Sequence, residues 1–126
     1  MKKIILLITV LISTTVVNAQ ILCTTQPRSW NSVKMVINDG ENIYEFFKRG
    51  PGRNFYAAKY SVVESSGSHY KKNFVLQKIE DNSTWEAMPD RLVLTRMLSK
   101  VLYNNYYLDG LGGETIVFQP QDCGRN

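Results

Sequence analysis

The sequence predicts an α+β domain: a four-stranded antiparallel meander, one C-terminal helix and a short closing strand, with a terminal disulfide. Three observations carry this expectation. Two runs at 55–64 and 70–80 (FYAAKYSVVE and YKKNFVLQKIE) alternate aromatic and β-branched residues with polar ones on either side of Ser65-Ser66-Gly67-Ser68-His69, the pattern of a half-buried hairpin. Further on, Leu94, Met97, Leu98, Val101 and Leu102 recur at spacings of three and four, which belong to a helix face. The two cysteines, Cys23 and Cys123, stand close to opposite ends of the chain.

The chain opens with Met1-Lys2-Lys3, an almost wholly aliphatic run at 4–12 and the small-residue site Val17-Asn18-Ala19. Residues 1–19 therefore read as a signal peptide and 20–126 as a single secreted domain, extracellular, or periplasmic in a bacterium. Removing 19 of 126 residues leaves 107, one domain with a modest core. No later stretch approaches the roughly 20 apolar residues of a membrane-spanning helix, so no transmembrane segment is expected. Export to an oxidising compartment makes a Cys23–Cys123 disulfide the expectation; the alternative, thiols at metal or redox work, lacks CxxC spacing and a histidine partner.

Taken in order, 20–31 is an extended leader with Pro27 and Trp30. At 32–37, Val33, Met35 and Ile37 alternate with Lys34 and Val36, and Asn38-Asp39-Gly40 supplies a turn. The return strand, 43–49, places Tyr44 and Phe46 on one face and Ile43, Glu45 and Phe47 on the other. Gly50-Pro51-Gly52 then turns the chain into the strand beginning at Phe55. After residue 80, Ser83 with Glu86 fits a helix capping box, and Pro89 and Asp90 suit a first helical turn. A strand reading of 91–97 also exists, because Leu92 and Leu94 alternate with Val93 and Thr95; length and the 94–102 face favour the helix. Asn104 and Asn105 cap its exit, Gly110 to Gly113 connect, and 114–119 forms the closing strand.

The last third resembles the C-terminal part of the lipocalins, secreted barrels that hold small apolar ligands. The resemblance covers 74–123: the strand Phe74-Val75-Leu76-Gln77-Lys78, a helix beginning near a proline, a short strand and a terminal cysteine. In that family an arginine after the late strand packs on a tryptophan near the start of the barrel. Lys78 stands at the arginine position and Trp30 at the tryptophan position, with Arg28 in place of the family's glycine; a lysine cannot stack as a guanidinium plane does. A lipocalin barrel has eight strands, so the five counted here imply a shortened relative with an open sheet. The resemblance implies a small apolar ligand against the inner sheet face near Met35, Phe46, Tyr60 and Phe74. Apart from it, those four residues are core.

Net charge is +4, falling to +2 once Lys2 and Lys3 leave with the signal, since 13 bases then face 11 acids. Between 48 and 78 seven bases (Lys48, Arg49, Arg53, Lys59, Lys71, Lys72, Lys78) face Glu64 alone. Arg49, Arg53, Lys59, Lys71 and Lys72 are thus the candidate surface for an extracellular protein or polyanion, against the plainer reading of a solvated strand face. Asn82-Ser83-Thr84 is a glycosylation sequon, usable in a eukaryotic source. Tyr103, Tyr106 and Tyr107 with Asn104 and Asn105 form a further candidate contact surface.

Catalytic chemistry finds little material. His69 is the only histidine and lies beside serines in a loop, where an orienting carboxylate and oxyanion hole are not in view. A ribonuclease set of Glu45 or Glu64, His69 and Arg53 can be drawn, but no spacing requires it. One histidine and two paired cysteines do not assemble a zinc site, the acids do not match a calcium loop, and no cofactor motif is present. The leading expectation is a secreted, non-enzymatic binding protein, with a small apolar ligand as the resemblance implies. The alternatives are an interaction or inhibitory factor using the basic hairpin, and a secreted hydrolase or nuclease.

Overall fold

The computed structural model describes residues 20–25, 32–50, 52–98, 104–111, 113 and 115–125. The 1–19 segment, Trp30, Pro51 and Tyr103 lie outside them. Among the described residues the chain forms nine strands: β1 Ile21–Thr25, β2 Val33–Asn38, β3 Ile43–Arg49, β4 Phe55–Gly67, β5 Lys71–Asp81, β6 Arg91–Leu98, β7 Asn104–Asp109, β8 Ile116–Phe118 and β9 Cys123–Arg125. All neighbours are antiparallel, in the order β8-β7-β6-β5-β4-β3-β2-β1-β9.

This replaces the α+β expectation with a nearly closed, all-antiparallel barrel-like sheet. The two edge strands show how it closes. β8 pairs with β7, β9 pairs with β1, and only one 3-10 turn, Pro120–Asp122, separates them. β8 and β9 thus act as two halves of one closing strand, broken where it passes from one sheet edge to the other, and with β1–β7 they make eight staves. Within the turn the Gln119 N–H donates to Asp122 Oδ2 at 2.8 Å. Cys23 and Cys123 face each other across the β1–β9 seam and are joined by a disulfide.

The 91–98 segment is a strand, and the helix expected from Pro89 onward is absent there. Its inward residues are Leu92, Leu94 and Arg96, whereas Val93 and Met97 face out and are 42% and 38% exposed. An arginine on the inner face and apolar residues on the outer one blurred the period of two, leaving the spacing of Leu94, Met97 and Leu98 to imitate a helix; Val101 and Leu102 lie outside the described residues. β6 pairs along its length with β5 and β7, so tertiary pairing rather than local period decides it. Asn104 and Asn105 accordingly begin β7 instead of capping a helix.

In β2–β5 the alternation holds: Val33, Met35, Ile37, Tyr44, Phe46, Ala58, Tyr60, Phe74 and Leu76 all point into one core. β4 carries two register shifts, at Lys59/Tyr60 and Val62/Glu64, and such bulges bend a strand and help a sheet to curl. The β4–β5 hairpin runs further into the linker than the sequence suggests, with Ser65–Gly67 inside the ladder. Gly67 (φ +102) makes that possible: a Cβ there would lie 2.2 Å from the Lys71 carbonyl oxygen.

Candidate functional site

One end of the barrel is sealed. The connection 82–90 lies along β4, with the Asn82 N–H donating to the Ala57 carbonyl, the Thr84 N–H to the Phe55 carbonyl, and the Phe55 and Ala57 N–H groups donating back to the Thr84 and Ser83 hydroxyls. Met88 plugs the core behind it. Lys78, on the inner face of β5, donates to the Met88 carbonyl at 2.8 Å and to Asp81 at 3.1 Å, and its Nζ is 3.3 Å from Asp90. Its pKa is raised, chiefly by the Asp81 hydrogen bond, against some desolvation and with help from Asp90. The Tyr60 hydroxyl donates to the Pro89 carbonyl; burial, then the charges of Asp81 and Asp90, hold it protonated far above the usual phenol range. Lys78, proposed at the family's arginine position, is thus held by this network.

Asp81 is the hub of that seal. Desolvation pushes its carboxyl up, but the Ser83 hydroxyl and amide, the Met88 amide and Lys78 outweigh it and hold the pKa at about 2. Asp81→Ala would strand those donors and is expected to cost about 2 to 3 kcal/mol at neutral pH. A carboxyl whose folded pKa lies below its ordinary 3.8 contributes fully above that value and loses its contribution as pH falls through about 2. Urea unfolding should therefore show the gap between wild type and Asp81→Ala narrowing over that acidic window.

The opposite end carries the β2–β3 turn and the β4–β5 hairpin. Here register sets Lys72, Arg96 and Tyr106 in one row across β5, β6 and β7. Arg96 Nη1 contacts both carboxylate oxygens of Glu41, reaching across from the β2–β3 turn; the two side chains are 17% and 25% exposed. The Arg96 guanidinium and the Lys72 ammonium both lie over the Phe74 ring, at 5.8 and 5.5 Å from its centroid. Behind them the Tyr44 side chain is fully buried and its hydroxyl makes no hydrogen bond of good geometry. Burial, then the nearby Glu41 charge and a loose hydrogen-bonding approach to that carboxylate, keep the hydroxyl protonated.

The four candidate ligand residues are all buried on the inner face and span the barrel. Phe74 lies beneath Lys72 and Arg96, while Tyr60 reaches the seal. Phe46 stands between, its ring 5.6 Å from Tyr60 and 6.5 Å from Tyr44, with Met35 paired opposite it. These rings touch one another as core residues do.

The candidate surface bases do not converge. Arg49 and Arg53 are exposed at the sealed end and Lys71 at the other, about 40 Å away along β4 at roughly 3.3 Å per residue. Lys72 turns to the inner cluster. Lys59 lies 3.6 Å from both Glu45 and Glu80 on the outer face, beside a concavity of about 360 Å³ lined by Val36, Phe47 and Ala57 and rimmed by Lys34 and Asn82. Asn82 is exposed, although the sequon's Ser83 and Thr84 hydroxyls are engaged with β4.

His69 is exposed at the hairpin tip with its ring against Tyr70. Glu45 sits on the outer face of β3 and Arg53 in the turn at the far end, so the ribonuclease set is dispersed. Tyr106 faces in and Tyr107 out, which divides the tyrosine–asparagine surface. Among the described residues no group of three or more His, Cys, Asp or Glu is placed to hold a metal ion, and no helix is long and apolar enough to cross a membrane. The residues that sequence reasoning missed are Glu41, Tyr44 and Arg96. The one signal for Arg96 is that it stands in phase with Leu92 and Leu94, which the helix expectation passed over. No protein-family model matches the chain, and neither the curated proteins nor the solved structures provide a match.

Proposed function

We propose that the chain is a secreted, non-enzymatic binding protein that carries one small apolar ligand, taken in at the Glu41–Arg96 end of its barrel. The difference between the two ends supports this best. At the sealed end, Tyr60, Lys78 and Asp81 all have partners. At the other, beside aromatic rings, the buried Tyr44 hydroxyl has only a loose approach to Glu41, and Arg96 Nη2 and Nε have no acceptor among the described residues. Unused hydrogen-bonding capacity is expensive inside a folded chain, and a bound molecule supplies what is missing. The ligand meets Phe74 first, then Phe46, with Met35 and Tyr60 further in, and the core rings repack to admit it. A lipocalin-like relationship fits this reading, since eight staves in chain order make a nearly closed antiparallel barrel. Secretion rests on the 1–19 segment, and the disulfide suits an oxidising compartment.

Native mass spectrometry of the secreted protein tests the reading. The expected result is the mass of 20–126 less two hydrogens, with an extra small-molecule mass that is lost on denaturation. Bare protein after incubation with a panel of apolar molecules removes the carrier function. The alternative, an extracellular interaction factor, is favoured by one feature, the outer concavity at Phe47 and Ala57 with its charged rim.

A further inference from the structure

We infer that Arg96 is a subsite for the carboxylate of an apolar-tailed organic acid, and that Glu41 occupies that place when the ligand is absent. The inference rests on the carrier reading above and names its ligand class. A guanidinium is a planar fork of five donors, matched to a carboxylate. In this barrel one nitrogen, Nη1, carries both contacts to Glu41, so that Nη2 and Nε have no acceptor among the described residues. The buried Tyr44 hydroxyl is a second donor on the same side, approached loosely by Glu41 alone.

Charge points the same way. Lys72 and Arg96 flank the Phe74 ring, and among the described residues Glu41 is the one carboxylate paired with either, on Arg96 and near Tyr44. Two cations against one anion leave the cluster positive, which favours an incoming anionic head. The floor beneath it is aromatic, Phe74 lying 6.1 Å from Tyr44, so the remainder of the ligand is apolar. Glu41 is placed to leave. It belongs to a turn in which Asp39, Gly40 and Glu41 all adopt left-handed backbone, with φ of 51, 65 and 73. Side-chain-bearing residues disfavour that region, and the turn is closed by the Glu41 and Asn42 N–H groups donating to the Asn38 carbonyl, so the Glu41 side chain can swing away without undoing it.

Isothermal titration with dodecanoic acid and with 1-dodecanol, using wild type, Glu41→Gln and Arg96→Gln, separates the possibilities. Wild type is expected to prefer the acid by about tenfold or more, Arg96→Gln to bind the two alike, and Glu41→Gln to bind the acid about tenfold more tightly with the alcohol unchanged. Equal binding of acid and alcohol by wild type, or an acid affinity unmoved in Glu41→Gln, overturns the carboxylate subsite and leaves the carrier reading standing. Binding of neither molecule removes both. Glu41→Gln alters a turn side chain alone, so the test survives if Arg96→Gln does not fold.

Discussion

Replacing both cysteines, as Cys23→Ala with Cys123→Ala, should lower stability by about 4 to 5 kcal/mol in the chain-entropy account of a loop this long, and lower Tm by roughly 20 °C or more. The sequence separation is 100 residues, so the bond ties nearly the whole domain into one loop. Its position adds a second effect in the folded state. The β1–β9 seam consists of three residue pairs, Ile21 with Arg125, Leu22 with Gly124 and Cys23 with Cys123, and β8 offers three more to β7. Ladders that short hold a barrel shut weakly by themselves. Urea unfolding of the double variant, together with amide exchange on β1, reads both effects: a large drop in midpoint and faster exchange at the seam. A loss below about 1 kcal/mol would mean that the unfolded chain is already confined and that the seam holds without its bond.

Phe46→Ala is expected to cost about 3 to 5 kcal/mol, as large-to-small changes of a buried aromatic ring do. Phe46 is 2% exposed, paired between Met35 and Ala58, and in ring contact with Tyr44 and Tyr60. Its neighbour Phe47 provides the control, because the pleat sends it to the outer face, where it is half-buried against Phe55 at 5.6 Å. Phe47→Ala should cost about 1 kcal/mol. Chemical denaturation of the two variants measures the difference directly. Equal losses would contradict the assignment of faces along β3. Phe46→Ala also separates packing from ligand contact, since a carrier whose ligand displaces this ring should keep its affinity while losing stability.

The sequence by itself determined the strands whose alternation is clean. In β2 and β3, apolar Val33, Met35, Ile37, Tyr44 and Phe46 alternate with residues that tolerate solvent, and the Asn38-Asp39-Gly40 turn lies between them, so period and turn chemistry agree. The disulfide was legible from two cysteines placed near the chain ends and a 1–19 segment that reads as an export signal. β6 was not, because Arg96 lies on its inner face while Val93 and Met97 lie on its outer one, and the strand is defined by its ladders to β5 and β7. β1 and β9 are too short to carry a pattern. Only the curl of the sheet, which brings its last strand back to its first, makes them neighbours and turns an open meander into a nearly closed barrel.

The candidate site belongs wholly to that tertiary step. Glu41 and Arg96 are 55 residues apart and meet across the barrel end; neither lies in a motif, and Tyr44 reads as one more core aromatic until its buried hydroxyl is seen beside Glu41. Local sequence sets which face a side chain takes. Closure of the sheet decides which faces look at one another, and the barrel's chemistry arises there.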